Sequence, residues 1–228
     1  MNALAVLNLN DFMPAKARDS MQAAATRWGV EYVEITERVA NVHYFWQKTF
    51  IPLKYSQYQR LAVLDADILI RSDCPSLFDI VPPAWIGCVS DVQHGFPKRW
   101  REKYQGRREG LRFGLKPYPT EKEHVNGGMI VYEPTSHAYY LDQWRAAGER
   151  AGWDTAPFAD EGALSCVLQH FDAPVWWLPW KFNALVRDNS PHTPLGKMNA
   201  FIYHFYVQRV AKSEGRLAEI MDAVEWKL

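Results

Sequence analysis

Leu61-Ala62-Val63-Leu64 is a wholly apolar run that ends on Asp65, and Asp67 follows two positions on. A strand with one wet face alternates apolar and polar residues, so an unbroken run reads as a central strand covered on both faces. A strand of that kind belongs to a mostly parallel sheet with helices on each side. The flanking pattern agrees. Residues 4–9, 30–35, 85–89, 128–132, 175–178 and 201–203 read as further strands. Ala17, Met21, Ala24 and Trp28 share one face of a helix that Gly29 stops, with Asp11 as its cap and Pro14 in its first turn. More helices are expected from Asn41 through Trp46, Phe50 and Leu53, and over 136–147, 158–171 and 213–224, with Pro52 straining the end of the first of these. Alternating strands and helices without a repeat or linker give an α/β fold, read as a single domain over residues 1–228.

Composition removes several classes of function. Lys+Arg and Asp+Glu are both 26, so the chain has no generally basic coat of the kind that coats nucleic acid. Cys74, Cys88 and Cys166 are odd in number and widely spaced, which gives neither a disulfide framework nor a zinc spacing and points to a reducing compartment. The start, MNALAVLNLN, lacks the basic region of a signal peptide, and no apolar run reaches membrane-spanning length, so the expected location is cytoplasmic. One segment departs from the neutral balance. Residues 98–116 hold eight Lys/Arg against Glu102 and Glu109, with Trp100, Tyr104 and Phe113 among them as candidates to stack on bases or sugars. Gly106, Gly110 and Gly114 disfavour a stable helix there, and the stretch reads as a basic insertion or mobile loop.

Asp65 and Asp67 carry the chemistry. Residues two apart on an extended chain point the same way, and two carboxylates on one side repel unless a cation lies between them. In open α/β sheets the end of a central strand is where ligands bind. Hard oxygen donors suit Mg²⁺ or Mn²⁺, completed by substrate phosphates. The plainer alternative has Asp67 closing a turn and Asp65 as a solvated strand-end charge.

Around this pair the chain resembles GT-A glycosyltransferases that use nucleotide sugars, and most closely glycosyltransferase family 8, which includes glycogenin and bacterial lipopolysaccharide galactosyl- and glucosyltransferases. The resemblance runs in order through LNLND (7–11), SMQAAATRWG (20–29), FWQKTFIPLKYSQYQRLAVLDADILI (45–70), VNGGMIVYEP (125–134), ADEGALSCVL (159–168), LPWKFNAL (178–185) and IYHF (202–205). It departs after His204, where Phe-Tyr-Val-Gln-Arg-Val-Ala-Lys (205–212) stands in place of the family's Gly followed by Lys-Pro-Trp, so the phosphate-binding lysine is not carried over and Arg209 and Lys212 are the candidates to replace it. It also departs at Glu161, where the family usually has Gln.

The resemblance implies a hexosyltransferase with a UDP-sugar donor and Mn²⁺ or Mg²⁺ held by Asp65, Asp67 and His204. It implies that Leu7, Asn8, Asn10 and Ala66 line the nucleotide, and that Lys48 reaches the diphosphate or donor sugar. Asn126 and Gly127 would lie against the ligand, where glycine lets a backbone approach closely. Asp160 would bind sugar hydroxyls, and Glu161 would lie under the anomeric carbon, where a carboxylate stabilises an oxocarbenium-like transition state or attacks it. Glu in place of Gln favours the covalent version of a retaining reaction. The implied acceptor is a bacterial surface glycan, with hydroxymethylated bases of phage DNA as the alternative. A haloacid-dehalogenase-like phosphatase is a distant rival, because it also places Asp-x-Asp after an apolar strand; it normally does so near the N-terminus, with Thr or Val where this chain has Leu69. Each singled-out residue also has a plainer reading: strand-end turn chemistry for the asparagines, a solvated helix face for Lys48, helix-start carboxylates at 160 and 161, and, for Trp176, Trp177 and Trp180 as candidates to stack against sugars, core packing.

Overall fold

The computed structural model describes residues 1–9, 11, 13–94, 110, 112–116, 123–153, 159–186, 200–205 and 221. Asn10, Arg209, Lys212, most of the basic stretch and all but Met221 of the helix expected over 213–224 lie outside the described residues.

The buried run is the strand β3 (Arg60–Asp65), and it lies in the interior of a six-stranded sheet. With β1 (Asn2–Leu7), β2 (Glu31–Ile35), β5 (Ile86–Ser90), β6 (Val125–Tyr132) and β7 (Val175–Leu178), the order is β2-β1-β3-β6-β5-β7. Within it only β6 runs against its neighbours; β1 is parallel to both β2 and β3, and β5 to β7. A smaller sheet, β4 (Ile68–Ile70), β9 (Ile202–Phe205) and β8 (Ala184–Val186) in that order, begins just past Asp67. The sequence gives little warning of β4 and β8, each three residues long and so too short to show a period.

The two faces of the large sheet bury separate cores. Leu4, Val6, Ala62, Leu64, Met129 and Val131 pack against α1 (Ala15–Trp28) and the small sheet. Ala3, Ala5, Leu61, Val63, Ile130 and Tyr132 pack against Trp46, α4 (Ala138–Arg150) and α5 (Ala159–His170). Burying a side chain such as Leu64 or Leu61, both 0% exposed, contributes roughly 1.5–3 kcal/mol. The three cysteines are buried and form no disulfide, so none shares in this stability.

Three local expectations change. Helix α1 begins at Ala15 with Pro14 as its cap residue, and Asp11 instead pairs with Arg18 at 3.1 Å. The cause is Asn8, whose Oδ1 accepts from Met13 N at 3.1 Å and closes the turn before the helix. Gly29 does end α1, at φ 64, with its N–H on carbonyls of the last turn. The expected helix through Trp46 is a 3-10 turn over Tyr44–Phe50 running into α2 (Ile51–Lys54). Pro52 sits in the first turn of α2, where its missing N–H costs no bond, so it starts that helix rather than straining its end. Finally, Phe113 is wholly buried, edge-on to Trp46 with ring centroids 6.4 Å apart. It belongs to the core and is not available to stack on a ligand. Between α2 and β5, the short helix α3 (Leu77–Ile80) caps itself through Ser76. No helix among the described residues is long and apolar enough to cross a membrane.

Candidate metal and sugar site

The small sheet brings the distant histidine to the aspartates. β9 pairs antiparallel with β4 so that His204 lies opposite Ile68, the residue after Asp67. Phe205 N donates to Asp67 O at 2.9 Å and locks that register. His204 Nε2 stands 3.3 Å from Asp67 Oδ1 and 3.7 Å from Asp65 Oδ2. One ligand atom from each of Asp65, Asp67 and His204 falls within 4.8 Å of the others. Burial disfavours an imidazolium on His204, but Asp67 and then Asp65 outweigh it and raise the group above the usual histidine value.

The donor set fits a hard divalent ion: two carboxylates and an imidazole, 5% exposed at His204 and 7% at Asp67, at the end of the sheet. His204 Nδ1 is buried with no partner, while Nε2 faces the carboxylates. Room for the ring exists only because residue 128 is glycine; a Cβ there would run into the imidazole.

Gly127 makes the matching accommodation for Glu161. A Cβ at 127 would come within 2.8 Å of Glu161 Cγ, and Gly127 N donates to Glu161 Oε1 at 2.7 Å. Adjacent residues of a strand face opposite sides, and here the pair is re-aimed by an offset in β6. Cys88 pairs with Ile130 but Val89 pairs with Asn126, so residues 127–129 bulge out of the ladder to β5. Gly127 therefore turns toward α5 and Gly128 toward β9. The sequence reading has these glycines clearing space for a ligand; in the structure the space is filled by Glu161 and His204.

Asp160 and Glu161 occupy the first turn of α5, as expected. Trp144 Nε1 donates to Asp160 O at 2.8 Å, and Ser165 Oγ accepts from Val125 N at 2.9 Å, which ties α5 to β6. Burial raises both carboxyl groups; for Glu161 the charges of Asp91 and Asp160 add to it. Lys48 is 7% exposed, and its Nζ lies 2.5 Å from Asp65 Oδ1 and 2.6 Å from Gly127 O. It is no solvated helix residue. Its burial opposes the charge, yet Asp65, Asp160 and Glu161 hold the ammonium above the usual lysine value.

The side chains of the other expected ligand contacts have partners within the protein or are buried. Asn8 is 0% exposed and donates to Glu34 Oε1 at 2.6 Å besides holding Met13 N, so its side chain orders the β1–α1 turn. Glu34 is itself clamped by Arg18 through two bonds of 2.9 Å, which, against its burial, lowers its carboxyl. Leu7 is paired in register with Asp65, and both Leu7 and Ala66 have buried side chains, leaving only their backbone for a nucleotide. Asn126 donates to Asp91 Oδ1 at 2.9 Å and accepts from Asn183 Nδ2 at 2.6 Å, which fixes its amide.

Asp91 and Asn183 are the residues the sequence reading misses. Asp91 is 2% exposed and follows β5, behind Ile86-Gly87-Cys88-Val89-Ser90. That is the same signal as at Asp65, an apolar strand ending in a carboxylate, and it is available in the sequence. Tyr44 is also missed; it is 48% exposed and close enough to Asp160 and Asp65 for their charges to add to burial in raising its phenol.

No protein-family model matches the chain, and no curated protein matches it either. Solved structures do. A glycosyltransferase involved in glycosylation of the major capsid of PBCV-1 matches with a TM-score of 0.61 at 14% identity, over 97% of this chain and 100% of that one. Mouse xyloside xylosyltransferase 1 matches with a TM-score of 0.54 at 14% identity, over 90% of this chain and 98% of that one. The galactosyltransferase LgtC, solved with donor and acceptor sugar analogues, matches with a TM-score of 0.52 at 11% identity, over 97% and 96%. At these identities the likeness is one of fold: the chain has the GT-A fold, which removes the phosphatase alternative at the level of architecture.

Proposed function

We propose that this protein is a metal-dependent hexosyltransferase that moves a hexose from a nucleotide sugar, UDP-hexose, to a hydroxyl of a glycan acceptor with retention of configuration. The observation that carries the reading is the convergence of Asp65, Asp67 and His204 at the end of the sheet, with Glu161 across the Gly127-Gly128 peptide and Asp160 next to it in the first turn of α5. The glycosyltransferase names of the structural neighbours support sugar transfer as the reaction.

Asp65, Asp67 and His204 would hold the ion. When bound, it supplies Lewis-acid stabilisation of the leaving nucleoside diphosphate. Lys48 adds a positive charge beside the same group. Asp160 orients the sugar, and Glu161 is fixed by Gly127 N–H, whose bond directs one carboxyl oxygen. Because burial and the neighbouring carboxylates raise Glu161, its carboxyl group is neutral more readily than an exposed one. A neutral acid presents one acceptor and one donor, as the amide of Gln does. This favours the front-face path over attack by a carboxylate: the acceptor oxygen bonds to the anomeric carbon as the bond to phosphate breaks, and the acceptor proton leaves with the phosphate oxygen. Glu161→Gln should therefore keep turnover within about tenfold of wild type, a barrier change near 1.4 kcal/mol. A collapse of turnover with nucleotide binding intact would show an ionised nucleophile instead.

The test of the whole reading is release of nucleoside diphosphate from a panel of nucleotide sugars with Mn²⁺ or Mg²⁺. The expected result is hydrolysis or transfer with a UDP-hexose, abolished by EDTA and restored by Mn²⁺. Release indifferent to EDTA, or none from any donor, overturns it.

A further inference from the structure

Asp65 has two carboxylate oxygens and two claims on them. Oδ2 faces His204 at 3.7 Å, on the side of the three-residue group, while Oδ1 is taken by Lys48 Nζ at 2.5 Å. The ammonium is not passing through. Its second contact, to Gly127 O at 2.6 Å, anchors it from the neighbouring strand. The turn that carries it is held too: Gln47 is 0% exposed and bonds Val39 N, Ala40 N, Ala40 O and Val42 O, and Trp46 is packed edge-on against Trp153. A buried cation fixed in this way needs a nearby anion, and breaking such a pair without a replacement is strongly unfavourable.

We propose that Lys48 is a resident counter-cation of the metal centre, so that a divalent ion and a nucleoside diphosphate bind as a linked pair and neither binds well alone. The inference rests on reading Asp65, Asp67 and His204 as metal ligands. An ion arriving by itself competes with the ammonium for Asp65 and places like charges side by side. A diphosphate arriving with it offers Lys48 new anionic oxygens at the same end of the sheet. The ammonium then exchanges Asp65 for phosphate, and both oxygens of Asp65 become free for the ion. By linkage, whatever factor the nucleotide adds to the affinity for metal, the metal adds to the affinity for nucleotide.

Metal coordination by the diphosphate also couples the two ligands, so the decisive measurement is on the metal alone. Mn²⁺ binding is followed by calorimetry or electron paramagnetic resonance in wild type and Lys48→Met, with and without saturating UDP. Met keeps the buried stem and removes the charge. Lys48→Met should bind Mn²⁺ alone about tenfold more tightly, the factor expected where the competent state is about one tenth populated in wild type. Its gain in Mn²⁺ affinity on adding UDP should be smaller than that of wild type. A residue serving only as a phosphate ligand gives the opposite pattern, with Mn²⁺ affinity unchanged and only UDP weakened, and that overturns the proposal. Absence of Mn²⁺ binding in wild type even with UDP overturns the metal-site reading itself and the proposal with it. Lys48→Gln serves if the Met variant does not fold. Independently of any variant, the wild-type structure with Mg²⁺ and UDP should show Nζ on phosphate and off Asp65; a Lys48–Asp65 contact persisting there overturns the exchange.

Discussion

Asp67→Ala should lower metal-dependent turnover by roughly a thousandfold, because several kcal/mol of leaving-group stabilisation disappear with the ion at about 1.4 kcal/mol per decade. The fold should persist. The carboxylate bonds no backbone group among the described residues, its partner being His204 at 3.3 Å, while the contact that registers β9 uses the backbone of Asp67 and is untouched by the change. Calorimetric Mn²⁺ titration in the presence of UDP should show binding lost, alongside a circular-dichroism melt within a few degrees of wild type. Wild-type Mn²⁺-dependent turnover in Asp67→Ala would end the metal reading.

Gly128→Ala should be nearly as damaging for a steric reason. The added Cβ meets the His204 ring and stands 3.0 Å from Asn126 Oδ1. Neither neighbour can retreat easily: His204 is 5% exposed on a strand paired on both sides, and Asn126 is held by Asp91 and Asn183. Overpacking of this sort costs about 1–3 kcal/mol of stability. The larger effect is on the ion, since His204 must leave its position; Mn²⁺ affinity should fall by about a hundredfold, a loss near 2.7 kcal/mol. Gly127→Ala provides the contrast. Its Cβ presses on Glu161, so turnover should fall while Mn²⁺ binding stays near wild type. Unaltered Mn²⁺ affinity in Gly128→Ala would show that His204 is not a ligand.

The parts of this architecture that were legible in the sequence are those with a local cause. The unbroken run before Asp65 identifies a covered strand, and the spacing Ala17, Met21, Ala24 identifies the inner face of α1. What was not legible depends on partners far away in the chain. Nothing local to Asn8 announces that Glu34, 26 residues on, takes its amide. Lys48 looks like a helix-surface lysine until Gly127, 79 residues away, offers its carbonyl. His204 was placed by resemblance, whereas the physical reason it reaches Asp67 is the β4–β9 pairing, built from strands too short to show a period. Asp91 was legible in principle, because it repeats the strand-then-carboxylate signal of Asp65.

The offset in β6 also bears on how such a site can diversify. Gly127 faces Glu161 and Gly128 faces His204, so the Asp65–Asp67–His204 group and the carboxyl group of Glu161 meet across a boundary one peptide wide. Under the proposed function, substitutions along α5 would reshape the space around a sugar while β4 and β9 keep their register, and replacements in the small sheet would retune the ion without disturbing α5. The two sides are free to drift at different rates. The dipeptide between them is not, because each glycine's missing side chain is space that the other half of the chemistry already occupies.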